Sequence, residues 1–178
     1  MIIWINGTYG VGKTSVANIL HHIFKEKSIV LESDLYFSEY LKVNLFKGGG
    51  VYPQTNIKFM EFFREIINRY NKEKEIVIVP MAACTIEAKN ILIDYYRKQE
   101  FIHVVLTANE TSLNKRIIND ENRDKELALR KSKKNNKFLV DYYPKNEFID
   151  TSGLTEMNVV EIIVKNNDKL EELLKNKE

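Results

Sequence analysis

The eight residues Gly7-Thr8-Tyr9-Gly10-Val11-Gly12-Lys13-Thr14 satisfy the pattern G-x-x-x-x-G-K-[ST] at every fixed position. Residues of these types at this spacing do phosphate chemistry. Glycines let the chain curl tightly enough for successive backbone N–H groups to converge on one anion. Lys13 reaches the outer phosphates of a nucleotide, and the Thr14 hydroxyl is placed to hold Mg²⁺. A helix beginning at Lys13 points its positive dipole end at the same spot. Gly7, Thr8, Tyr9, Gly10, Val11, Gly12, Lys13, Thr14 and Ser15 are therefore the expected nucleotide contacts, and ATP with Mg²⁺ is the expected cofactor pair.

Two carboxylates, Glu32 and Asp34, follow the second apolar run. Asp34 can accept a proton from a substrate hydroxyl or hold Mg²⁺ through water; a helix cap or a solvated turn is the alternative use. Many P-loop proteins end their third strand in an aspartate that supports Mg²⁺. Here Pro80-Met81 occupies that place, so another acid must serve if a metal is used. Glu32, Asp34 and Arg64 are the candidate substrate residues. Arg64 and Arg69 flank an aromatic stripe of Phe59, Phe62 and Phe63 that reads as core. Tyr36, Phe37, Tyr40 and Tyr52 either wall an acceptor pocket or simply pack. Arg123 and Arg130 lie in a polar stretch that has the character of a lid excluding water, with Arg123 the candidate catalytic cation. Lys131 to Lys137 reads as a mobile hydrated run. Cys84 has no adjacent histidine and reads as an inert packed thiol, His103 as a core strand residue, and His21 and His22 as helix surface.

These residues need elements to position them. Apolar runs at residues 1–6, 28–31, 76–79, 101–106 and 148–150 are short enough to be buried parallel strands. Helical spacing follows the glycine loop at Val16, Ile19, Leu20, Ile23 and Phe24. It recurs from Phe59 to Tyr70, from Ile86 to Tyr96, and from Thr155 onward. Thr107-x-x-Glu110 has the form of a capping box opening another helix. The stretch from Asp34 to about Thr55, with Gly48-Gly49-Gly50 and Pro53, reads as less regular. Alternating strands and helices imply an α/β fold: a mostly parallel sheet covered on both faces. Ligands in such sheets sit at the carboxyl ends of the strands, so the glycine loop, Glu32, Asp34, the segment after Pro80 and the polar stretch should ring one cleft.

With 178 residues the chain has the size of a single domain. A net charge of +2 gives no field demanding nucleic acid or anionic lipid. One cysteine permits no internal disulfide, no stretch approaches the length of a membrane span, and the N-terminus lacks the features of a signal peptide. A cytoplasmic protein acting on a small-molecule acceptor is the expectation; oligomeric state is unreadable.

The opening Met1-Ile2-Ile3-Trp4-Ile5-Asn6-Gly7, the run Ile76-Val77-Ile78-Val79-Pro80-Met81 and the segment from Leu106 to Arg116 resemble the tunicamycin-resistance protein family of small P-loop kinase-like proteins. The resemblance implies a three-layer nucleotide-kinase-like fold with a parallel five-stranded sheet of order 2-3-1-4-5. It implies a substrate-region insertion at about 34–70 and a lid-like segment at about 120–137. It also implies that Arg116 contacts adenine or phosphate and that Asp150-Thr151-Ser152-Gly153 runs beside the adenine. The chain departs from the family after Arg116, where Ile117-Ile118-Asn119-Asp120 replaces a run of closely spaced arginines.

The leading expectation is an ATP-dependent phosphotransferase for a hydroxyl-bearing antibiotic or metabolite of nucleoside-like type. The alternative is a nucleotide-dependent protein that sequesters such a ligand without transfer. A GTPase switch is disfavoured because Thr107-Ala108-Asn109-Glu110 stands where an Asn-Lys-x-Asp guanine reader would be.

Overall fold

The computed structural model describes residues 1–44, 50–121 and 124–175. Strands β1 (Ile2–Gly7), β2 (Ser28–Val30), β3 (Ile76–Val79), β4 (Phe101–Thr107) and β5 (Phe148–Asp150) form one parallel sheet in the order β2-β3-β1-β4-β5. Ile2 lies opposite Val77 on one side and Phe101 on the other, and Gly7 opposite Leu106. Both flanks of β1 are thus paired, and all six of its residues are buried. A strand covered on both faces favours apolar side chains on both, which is why the chain opens on the run Met1 to Ile5 rather than an alternating pattern, with Asn6 the one buried polar side chain in β1.

Side chains still alternate between the faces. Ile2, Trp4, Val77, Val79 and Val105 point into one core with Phe59, Phe63 and Ile67 from helix α3 (Ile57–Glu73). The helical run that carries Leu92, Ile93 and Tyr96 completes that layer. It opens as α4 (Ile86–Ala88), widens to a π turn over Lys89–Ile93 and closes as α5 (Asp94–Tyr96). Ile3, Ile5, Ile76, Ile78, Val104 and Leu106 point the other way. They meet Val16, Leu20 and Phe24 of α1 (Lys13–Phe24) and a C-terminal helical layer.

Four sequence expectations need correction. The stretch after Asp34 is not irregular, because α2 spans Ser33–Asn44. Its hydrophobic pattern was obscured because Leu35 and Val43 face solvent while only Phe37 and Tyr40 of its large side chains are buried. Phe37 and Tyr40 edge onto Phe59 at centroid distances of 4.9 and 5.6 Å, so both belong to the core. Thr107 does not cap the helix that follows it, because it is still the last residue of β4. Helix α6 (Glu110–Ile118) is capped by Asn109, whose Oδ1 accepts from the Ser112 N–H at 2.8 Å. Lys131 to Lys137 is not a mobile run but the middle of α7 (Lys125–Tyr142), with Lys133, Lys134 and Lys137 exposed and Ser132 and Asn135 buried. The final helix is two, α8 (Glu156–Lys165) and α9 (Asp168–Lys175). Gly48, Gly49 and Arg123 lie outside the described residues.

Candidate functional site

The glycine loop leaves the carboxyl end of β1 at the centre of the sheet. Gly7 has φ +143°, and a Cβ there would stand 2.7 Å from the Leu106 carbonyl oxygen and from Val11 Cγ2, so close strand approach requires glycine. Gly12 has φ +92° in the left-handed region and is the residue that turns the chain into α1. The helix therefore begins at Lys13, with its unpaired N–H groups facing the loop. Lys13 Nζ donates to the Thr8 carbonyl at 2.8 Å, folding the ammonium back over the loop. Thr14 and Ser15 are exposed, leaving their hydroxyls accessible.

A cleft of about 120 Å³ opens beside this loop. Its walls are Tyr9, Lys13 and Thr14; Glu32, Ser33 and Asp34; Gln54; and Pro80, Met81 and Ala82. The three strand ends converge as expected for a parallel sheet. Asp34 is exposed in the first turn of α2, where a carboxylate meets the positive end of a helix. Glu32 is half-buried, and its carbonyl accepts from the N–H groups of Leu35 and Tyr36. Gln54 was missed from the sequence because it sits in a single 3-10 turn at Pro53–Thr55, a stretch without periodicity.

The segment after β3 is held by three side chains. Trp4 Nε1 donates to the Met81 carbonyl at 2.9 Å, and Tyr143 Oη donates to the Ala83 carbonyl at 2.7 Å. Asn6 Oδ1 accepts from the Ala83 N–H at 3.0 Å and from the Gly7 N–H at 2.8 Å. With Oδ1 so engaged, the Asn6 amide NH₂ faces His103 Nε2 at 3.2 Å and must donate to it. His103 then carries its proton on Nδ1, which donates to Glu147 Oε2 at 2.7 Å. Burial holds His103 below the usual histidine range, against the opposing pull of Glu147. Burial also pushes the Cys84 thiol up to about 12, so it is a packed thiol and not a nucleophile at neutral pH. Asn6 and Tyr143 carried no sequence signal: one is a polar residue inside an apolar strand, the other a tyrosine far away in the chain.

Arg116 ties the outer side of the glycine loop to the loop after β5. It donates to the Thr151 hydroxyl and carbonyl, each at 2.9 Å, and to the Gly10 carbonyl at 3.4 Å. Asp150 is held below the usual carboxylate range by hydrogen bonds from Ser152, with Arg116 assisting. Arg64 is elsewhere. Its guanidinium lies 4.7 Å over the Tyr95 ring, and it does not line the cleft. Arg130 lines a separate pocket of about 330 Å³ between α6 and α7. Helix α7 itself rests on the glycine loop, with the Thr8 hydroxyl donating to the Ser132 carbonyl at 3.2 Å. Among the described residues no group of three or more histidine, cysteine or acidic side chains is placed to hold a metal. A bound Mg²⁺ would have to draw most of its ligands from nucleotide phosphates and water, as this ion commonly does. Among the same residues no helix is long and apolar enough to cross a membrane.

No family model matches the chain, and no curated protein matches it in sequence. Its fold is shared with solved structures. A tunicamycin resistance protein from Deinococcus radiodurans superposes with a TM-score of 0.73 at 24% identity, over 93% of this chain and 94% of that one. A gluconokinase from Sinorhizobium meliloti gives 0.63 at 15% identity, over 98% and 93%. A deoxyadenosine kinase from M. mycoides with bound dATP gives 0.53 at 20% identity, over 93% and 98%. The five-stranded parallel sheet of order 2-3-1-4-5 flanked by helices is thus a P-loop kinase-like fold. The fold implied by the resemblance read from the strand ends is the fold of these structures.

Proposed function

We propose that the chain is a cytoplasmic ATP-dependent phosphotransferase for a small hydroxyl-bearing acceptor of the nucleoside-like antibiotic or metabolite class. The observation that carries this reading is the cleft itself. Lys13 on a glycine loop and two acids, Glu32 and Asp34, line one cleft at the ends of β1, β2 and β3. Phosphoryl transfer needs little else from a protein than positioning and charge.

The loop fits a triphosphate. Its glycines hold conformations that side chains resist, and N–H groups of such a loop together with a helix terminus are suited to one anion. Lys13 exchanges its bond to the Thr8 carbonyl for the β and γ phosphates and offsets their charge. Magnesium, when bound, adds positive charge at the same oxygens; Thr14 with Asp34 would hold it. Asp34 accepts the proton of the acceptor hydroxyl as that oxygen attacks the γ-phosphorus and the bond to the departing ADP oxygen breaks. Arg116 stands beside the Thr151–Gly153 loop, where a flat guanidinium supports a base or forks onto phosphate. Helix α7 acts as the lid, and Arg123, just before it in sequence, is the proposed catalytic cation.

Lys13→Ala is expected to abolish ATP binding in a protein of unchanged circular dichroism. Asp34→Asn is expected to keep ATP and lose turnover by roughly 10²–10⁴-fold. Unchanged nucleotide affinity in the first variant, or unchanged turnover in the second, would overturn these assignments. Incubation with Mg-ATP and a panel of nucleosides, aminoglycosides and tunicamycin, followed by mass spectrometry, reads the reaction directly through the addition of one phosphate. A second reading, sequestration of the acceptor without transfer, is favoured by Pro80 standing where many relatives of this fold place an acid. It predicts saturable binding of a panel member with no phosphorylated product.

A further inference from the structure

Helix α7 carries a group that the proposed reaction leaves unexplained. The ammonium of Lys131 is sequestered from solvent, makes no hydrogen bond, and has no ion pair among the described residues. It lies 2.9 Å from the centroid of the Tyr52 ring. An ammonium is a compact, strongly hydrated charge, and burying it without a counter-charge is costly. The ring face offsets part of that cost but satisfies none of the three N–H donors. One turn further along, the Asn135 Nδ2 is also buried without an acceptor. Residues four apart project from one face of a helix, so two unmet donors lie along that face; the adjacent Asn136 Oδ1, an acceptor, is buried and unmet as well.

Their surroundings connect them to the cleft. Ser132, next to Lys131, accepts from Thr8 of the glycine loop. Tyr52 is two residues from Gln54, which lines the cleft with Lys13 and Asp34. A buried cation and a buried amide donor that share no acceptor within the protein are suited to an oxyanion brought by a ligand.

We propose that Lys131, over Tyr52 and with Asn135 one turn on, is the anchor for a carboxylate or phosphate carried by the acceptor. The acceptor is then a hydroxyl-bearing acid, with its anionic end at α7 and its hydroxyl end at Asp34. This rests on the kinase reading of the cleft and narrows it.

The test is equilibrium dialysis of the full chain with Mg-AMPPNP present, using two matched probe pairs. Gluconate against sorbitol reads a carboxylate, and deoxyadenosine 5′-monophosphate against deoxyadenosine reads a phosphate. In at least one pair the acid should bind about tenfold or more tightly than its neutral partner. Lys131→Met should erase that ratio while AMPPNP affinity stays within about twofold, and Lys131→Arg should retain most of it. A purely structural latch would lower the melting temperature of Lys131→Met and leave the ratio intact, which overturns the proposal. Equal binding of acid and neutral probes by the wild-type chain also overturns it, whether or not Lys131→Met folds. Failure of the kinase reading would show separately, as absence of AMPPNP binding by the wild type.

Discussion

Asn6 shows how much one polar side chain can organise. It is fully buried, and its carbonyl oxygen serves two backbone N–H groups, one starting the glycine loop and one in the segment after β3. Asn6→Ala would leave both donors buried and unmet, at roughly 1–3 kcal/mol each. The variant should therefore melt well below the wild type, and the Met81–Ala83 wall of the cleft should lose its fixed place. A melting temperature unchanged in calorimetry would show that water or a shifted backbone satisfies those donors. At this scale the sequence was informative wherever a residue type has one use. Gly7, Gly12 and Lys13 are legible because their spacing admits a single backbone shape. Asn6 is not, because its partners are 1 and 77 residues away and only the sheet brings them together. Arg64 shows the converse: a cation that looked available is laid over Tyr95.

Elements obey both local rules and their neighbours. Helix α6 is capped by Asn109, and the alternative start at Thr107 fails because pairing with β5 keeps Thr107 in the strand opposite Asp150. Asn109→Ala should cost about 1 kcal/mol in urea unfolding, whereas Thr107→Val should not reproduce that cap loss. Equal losses in the two variants would refute the assignment of the cap. Helix α7 is harder to see from sequence for a physical reason. Its buried residues are Ala128, Ser132, Asn135 and Leu139, at helical spacing but without much hydrophobicity. A helix that lies on a phosphate loop presents small and polar groups to it, so hydropathy alone does not reveal its inner face. The inner strands β1, β3 and β4, by contrast, are legible because burial on both faces favours long apolar runs.

Across the whole molecule, a polar line runs outward from the foot of the glycine loop on the Trp4 face of the sheet: Asn6 to His103, His103 to Glu147, Glu147 to Arg97 at 2.6 Å, with Arg97 and Lys89 on Asp94. The rings of Phe101 and Tyr143 pack on His103, and besides Glu147 the charges that act on it are Arg97, which lowers its pKa, and Asp94, which raises it. Burial lowers the folded-state pKa of His103, so the unfolded chain binds that proton more readily. The stability His103 contributes is present above its ordinary value of about 6.5 and is lost as pH falls below it. Burial raises the Glu147 carboxyl, but His103 and Arg97 outweigh it and hold it below the usual range. Its contribution is present above about pH 4.3 and is lost as pH falls through its lower folded value. The urea midpoint should therefore begin to decline as pH falls below about 6.5 and decline again in stronger acid. His103→Gln should flatten the first decline; an identical profile in that variant would assign the effect to another group. What the chain determined unaided is the strand–loop–helix at its start and the alternation that makes a covered parallel sheet, because both rest on interactions within a few residues. The tertiary structure alone decided which acids, amides and cations share one cleft. Those meetings depend on strand order and helix docking, which bring together residues from opposite ends of the sequence.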